Sequence, residues 1–172
     1  DEKKILKKCL LNDRKAQKLL YDHYAPVLLG ICMRYTQNRA EAEDVLQEGF
    51  VRIFCKLKTF EGRSSLGSWM HRIIVNTAIT DYHRNLKYRH QKSIDEMAEV
   101  QSYNEYPGKS DFTGEELLRV IRGLSKGYRT IFNLYDVEGF RHREIAEMLG
   151  IDVNTSKSQY SRAKKIIQTR LK

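Results

Sequence analysis

Apolar residues recur every three or four positions along most of this chain, the spacing that lines one face of an α-helix. Leu20, Tyr24, Val27, Ile31 and Tyr35 form a first stripe. A second contains Ala42, Val45, Leu46, Phe50, Ile53, Phe54 and Leu57, and a third contains Trp69, Met70, Ile73 and Ile74 before the pattern turns polar. Asn38 is suited to cap the second helix, and Ser65 or Ser68 to open the third, since a short side-chain oxygen can satisfy the free N–H groups of a first turn. Sustained strand-type alternation is hard to find, and the chain has only two prolines, Pro26 and Pro107.

From about Ser93 to Phe112 the period fades. That stretch holds five acids (Asp95, Glu96, Glu99, Glu105, Asp111), one Lys109, and the breaker pair Pro107-Gly108, which together read as a flexible linker. Helical spacing then returns in Leu117, Leu118, Ile121 and Leu124, and again in Ile131, Phe132, Leu134 and Tyr135 ahead of Gly139. A short helix from His142 to Leu149 and a longer one from about Asn154 to Leu171 complete the pattern. The fold class expected is all-α: two small helical bundles joined by a flexible linker, with the C-terminal one containing a helix-turn-helix. The expected division is residues 1–92, 93–112 and 113–172.

The helix-turn-helix is read from RHREIAEMLGIDVNTSKSQYSRAKKII. Ile145, Met148 and Leu149 supply the inner face of its first helix, and Ala146 is small where a second helix must come close. Gly150 stands where the tight turn needs a left-handed backbone, which glycine adopts without steric cost. Ile151 and Val153 plug the core, and Asn154 or Thr155 is positioned to cap the next helix. In that helix Ser156, Tyr160, Ala163, Ile167 and Leu171 share one face. Asn154, Lys157, Ser158, Ser161, Arg162, Lys164 and Lys165 occupy the other. An inward serine is unusual, and its hydroxyl is expected to bond back to a helix carbonyl.

Charge sharpens this picture. The 172 residues carry a formal charge of +9, which suits nucleic acid or an anionic membrane surface. Residues 153–172 hold six Lys/Arg and no acid. A basic helix with short polar residues near its start can enter a major groove, the cations holding phosphates while neighbouring side chains meet base edges. In the N-terminal half, positions 40–51 hold Glu41, Glu43, Asp44 and Glu48 and no basic residue. Such a face suits a basic protein partner rather than DNA, or an acidic first turn favoured by the helix dipole. Further on, a glycine- and hydroxyl-containing loop runs into Trp69, Arg72, Asn76 and Arg84. These are aromatic, amide and cationic groups able to stack on and hydrogen-bond to exposed bases.

The segments AEDVLQEGF, then FEGRSSLGSWMHRIIVN, then DYHR closely resemble region 2 of the extracytoplasmic-function sigma factors of bacterial RNA polymerase. LSKGYRTIFNLYDVEGFRHREIAEMLGIDVNTSKSQYSRAKK resembles their region 4. Two departures stand out: Ser125 follows Leu124 where the family usually has proline, and Ser156 replaces the usual valine. The resemblance implies an alternative sigma factor that binds core RNA polymerase and directs it to promoters. It implies a core-polymerase contact at Asp44, Gln47 and Glu48. The melted minus-ten element would be captured at Gly62, Arg63, Ser64, Ser65, Trp69, Arg72, Asn76 and Arg84. The minus-thirty-five duplex would be read at Asn154, Lys157, Ser158, Ser161, Arg162 and Lys164. An anti-sigma partner is implied as well.

Other function classes fit less well. No catalytic residues, cofactor, metal site or small-molecule substrate are expected. A nuclease built on His71, Asp81 and His83 would need a second carboxylate pair, and Asp81 and His83 point to different helix faces. A membrane-surface helix would have to lift its apolar stripe out of the bundle. A conventional helix-turn-helix regulator remains the rival, and it would bind its operator without polymerase. Cys9, Cys32 and Cys55 are scattered and odd in number, so free and mostly buried thiols in a reducing cytoplasm are expected. No stretch reaches the ~20 apolar residues of a membrane span, and no signal-peptide core is seen. The first residue is not Met, so a few residues are expected upstream.

Overall fold

The computed structural model describes residues 2–92 and 114–171; the acidic stretch read as a linker lies outside the described residues. Every regular element among them is helical. In chain order they are α1 (Glu2–Leu10), α2 (Arg14–Tyr35), α3 (Arg39–Lys56), a 3-10 turn (Leu57–Thr59), α4 (Leu66–Lys92), α5 (Gly114–Arg122), α6 (Lys126–Phe132), a π-turn (Asn133–Val137), α7 (His142–Leu149) and α8 (Val153–Arg170).

The helix starts follow local chemistry. Asp13 Oδ1 accepts from the N–H of Lys15 and Ala16 and opens α2. Asn38 caps α3 by accepting from Glu41 N at 2.9 Å, and its amide donates back to the Glu41 carboxylate at 3.1 Å. Of the two serines expected at the start of α4, Ser65 does the work, accepting from Ser68 N at 3.2 Å. Ser125 caps α6, its hydroxyl accepting from Tyr128 N, so a polar cap occupies the position where the resemblance led one to expect proline.

Two compact units emerge. The first comprises Asp1–Met33 and Asn38–Ala78, and the second Arg34–Gln37 and Ile79–Lys172. In the first unit Leu28, Ile53, Leu66, Met70 and Ile74 are all but sealed from solvent; burying side chains of this size stabilises by roughly 1.5–3 kcal/mol each. Close approach of α3 and α4 depends on Gly49, where a Cβ would run into Ile74 Cδ1. Val27, expected on the inward stripe of α2, is 68% exposed. The inward line runs instead through Leu28, and one position is 100° of helix.

The second unit has a core of Ile121, Leu124, Ala163 and Ile167, with Val120, Tyr128, Phe132, Ile166 and Leu171 packed around it. Ile131, Leu134, Ile145 and Leu149 are buried as well. After α6 the backbone widens into the π-turn, where Glu138 N donates to Asn133 O at 2.9 Å. Gly139 then turns the chain at φ +79°.

Candidate nucleic-acid interface

The turn between α7 and α8 forms as the residue pattern requires. Gly150 is left-handed at φ +66°, ψ +38°, and its N–H closes α7 on Ala146 O. Ile151 N donates to the same carbonyl at 3.0 Å. The cap of α8 is Asp152 rather than Asn154 or Thr155: its carboxylate accepts from Asn154 N at 2.7 Å. That frees Asn154, already inside the helix, to face solvent. Ser156, Ala163 and Ile167 are buried. Asn154, Lys157, Ser158, Ser161, Arg162, Lys164 and Lys165 are all exposed. Every duplex-facing candidate therefore lies on the outer side of one 18-residue helix. Ser158 Oγ also donates to Thr155 O at 3.1 Å.

The serine that departs from an apolar stripe bonds elsewhere than expected. Ser156 Oγ meets His142 Nδ1 at 3.0 Å instead of a helix carbonyl. His142 stacks on Tyr135, centroids 4.3 Å apart and planes 15° from parallel, and meets Tyr160 edge-on at 5.5 Å. The Tyr160 hydroxyl donates to the Asp136 carboxylate at 3.0 Å. Burial, then that hydrogen bond, push its pKa up to about 12, so it stays a donor. Burial, and secondarily Lys157, hold the His142 imidazole below its ordinary value. Sequence reasoning missed this cluster because Tyr135 and Asp136 reach α8 only through the widened π-turn.

The second candidate surface lies on the loop before α4 and on α4 itself. Gly62 has φ +71° in that loop. Arg63 pairs with Glu61 at 2.6 Å while both stay exposed, and Ser64 and Ser65 are exposed too. Trp69 is half-buried, held against Phe60 with centroids 5.3 Å apart. Arg72 and Asn76 follow on the same helix face and are exposed, so loop and helix face are adjacent. Arg84 is exposed two turns beyond Asn76, on the part of α4 that belongs to the second unit.

A third surface occupies α3. Asp44 and Gln47 are exposed and Glu48 is half-buried, bonded to Arg52 at 2.6 Å. Val51, 63% exposed, and Cys55, also exposed, stand on the same face. Steps of four, three and four from Asp44 run through Glu48 and Val51 to Cys55, which makes an acidic stripe with an apolar middle. The apolar part was legible in that spacing but was masked by the core stripe running beside it. Cys9 and Cys32 are buried, as expected for most of the thiols.

The residues considered for a nuclease are engaged otherwise: Asp81 takes a 2.7 Å ion pair from Lys126 and His83 Nε2 meets Met148 O at 2.9 Å. No cluster of three metal-ligating side chains occurs among the described residues, and none of their helices is long and apolar enough to cross a membrane.

A basic helix-turn-helix in one unit, and in the same chain a helix with aromatic, amide and cationic groups on one face, define the class: an all-α helix-turn-helix protein. Comparison with known proteins makes this specific. Residues 20–88 match the family model of Sigma-70 region 2 and residues 114–167 that of Sigma-70, region 4. The chain is 28% identical to the ECF RNA polymerase sigma-E factor of Haemophilus influenzae, over 92% of this chain and 89% of that one. It is 27% identical to the RNA polymerase sigma-H factor of Pseudomonas aeruginosa, over 99% and 93%. The fold is shared with the sigma factor RpoE of Bartonella quintana, solved in complex with the anti-sigma factor NepR; the TM-score is 0.52 at 24% identity, covering 90% of this chain and 95% of that one. The chain belongs to the sigma-70 family, in its extracytoplasmic-function group.

Proposed function

We propose that this protein is an alternative sigma factor: it binds core RNA polymerase, directs the holoenzyme to a class of promoters and holds the opened strand during initiation. One observation carries the reading. A single chain bears two unlike surfaces, an outward basic α8 suited to paired DNA and an α4 face with Trp69, Arg72 and Asn76 suited to unpaired bases. Residues 1–92 form the polymerase-binding and minus-ten module, 93–112 the linker and 113–172 the minus-thirty-five module. The acidic stripe of α3, with Asp44, Gln47 and Glu48, docks on a basic element of the polymerase.

Binding free energy drives opening, with no covalent chemistry, no cofactor and no small-molecule substrate. A base drawn from the duplex costs a few kcal/mol, recovered by stacking and edge hydrogen bonds. The work is done in the cytoplasm. An anti-sigma protein competes for the same surfaces and holds the factor inactive.

Run-off transcription with purified core enzyme tests the reading. The wild-type chain yields promoter-specific transcripts and core enzyme alone does not. Arg162→Ala weakens duplex binding, by about 1–3 kcal/mol if the guanidinium reads a base. Asn76→Ala leaves duplex docking intact and reduces permanganate-reactive open complex. Core enzyme that gains no promoter specificity from the purified chain sinks the proposal.

A further inference from the structure

The helix-turn-helix holds a polar contact where its two helices would ordinarily meet through apolar side chains. Ser156 is fully buried on the inner face of α8 and touches the His142 imidazole at the start of α7. The ring is clamped on one face by Tyr135 of the π-turn and at its edge by Tyr160 of α8. Tyr160 in turn is tied to Asp136. Two elements thus converge on the imidazole of a third, and the hydrogen bond is directional, whereas an apolar plug would tolerate sliding and rotation.

We propose that His142 and Ser156 are positioning residues for promoter reading: their contact fixes the seat of α8 on α7, and so the register in which α8 meets base edges. This rests on α8 being the duplex-reading helix. Ser156 lies one residue before Lys157 and two before Ser158, so a small turn or slide of α8 at Ser156 displaces the outward side chains beside it. Base-edge hydrogen bonds are lost over a few tenths of an ångström, while phosphate contacts tolerate such shifts. Loosening the contact therefore lowers discrimination between sequences more than total affinity.

Protonation acts on the same contact. The groups around the ring are Ser156, Lys157 and Tyr160 from α8, and Tyr135 from the π-turn, with Asp136 held by Tyr160; Arg141 and Arg143 flank it on its own chain segment. The two rings could welcome a cation, but burial and Lys157 oppose it and prevail. Because the folded-state value is depressed, the neutral ring's contribution is whole above the ordinary value near 6.5. It is lost as pH falls through the depressed folded-state value. In the protonated ring Nδ1 is a donor, so the Ser156 hydroxyl then meets it as an acceptor.

The test uses reconstituted holoenzyme with the full chain and two probes: a pool of duplexes with a randomised upstream segment, and a pre-melted bubble lacking that segment. At pH 8 the wild type enriches a preferred upstream sequence, and Ser156→Ala lowers the enrichment about tenfold while bubble binding is unchanged. Lowering the pH stepwise below 6.5 eventually reduces wild-type enrichment, and His142→Phe, which keeps the aromatic packing, removes that pH dependence. His142→Gln, whose amide can still meet Ser156, restores part of the discrimination without the pH slope. A thermal melt of each variant separates loss of folding from loss of register. Variants that melt lower yet discriminate like wild type, with an unchanged pH profile, overturn the proposal. If wild-type holoenzyme enriches no upstream sequence, it is the duplex-reading role of α8 that fails.

Discussion

At Gly49 the chain carries no side chain on the face where α3 lies against α4, and Ile74 fills the space. Gly49→Ala gains helix propensity of up to about 1 kcal/mol. It also forces a methyl group into the buried Ile74 Cδ1, and such overpacking typically costs about 1–3 kcal/mol. Net destabilisation of ~1 kcal/mol is expected in chemical denaturation. Ile74→Val, which removes the obstructing methyl, restores part of the loss when combined with it. Additive losses in the double-mutant cycle exclude this account. Some residue roles were open to sequence reasoning and others were not. Asn38 and Gly150 follow from what their backbone neighbours need, with no tertiary partner required. Asp152 displaced Asn154 as a cap because a carboxylate one position ahead of the helix reaches the same free N–H groups first. Ser156 and His142 stand 14 positions apart, and nothing local tells a serine on an inner face which partner the folded chain will bring it.

Among the helices, α3 shows how one element serves two faces. Its inner face, with Ala42, Val45, Leu46, Phe50 and Ile53, is buried. Its outer face sets Cys55 in line with Asp44, Glu48 and Val51, so the thiol reports on whatever docks there. Of the three cysteines, Cys55 is expected to react with a maleimide in seconds to minutes, and Cys9 and Cys32 only on unfolding. Burial, with a smaller contribution from Asp13, also raises the Cys9 thiol pKa, which slows it further. Core polymerase should protect Cys55, and a bulky label there should impede assembly with core. Equal labelling with and without core enzyme rules out α3 as the docking face. Helix existence and facing were legible from the period, since a stripe of core residues needs only the 3.6-residue repeat. The π-turn was not: Leu134 and Tyr135 look like one continued stripe, but the widened turn buries Leu134 and swings Tyr135 outward to the histidine.

For the whole molecule, the net charge of +9 conceals an uneven distribution. The stretch 40–51 has acids and no base, and 153–172 has bases and no acid. The two modules were separable in the sequence because the apolar period stops between them. The breaks between compact units were not, because they depend on contacts made far along the chain. The acidic stripe of α3 has a consequence for the purified protein. An acidic patch on one copy complements the basic helix of another, and a contact between unlike patches need not close into a ring. At low ionic strength the chain should therefore stack into heterogeneous head-to-tail assemblies. These should dissolve into monomers as salt shortens the reach of the charges to about 10 Å or less. Sedimentation velocity at about 20 mM and 300 mM salt distinguishes the outcomes, and replacing Asp44 and Glu48 by Asn and Gln should abolish the assembly.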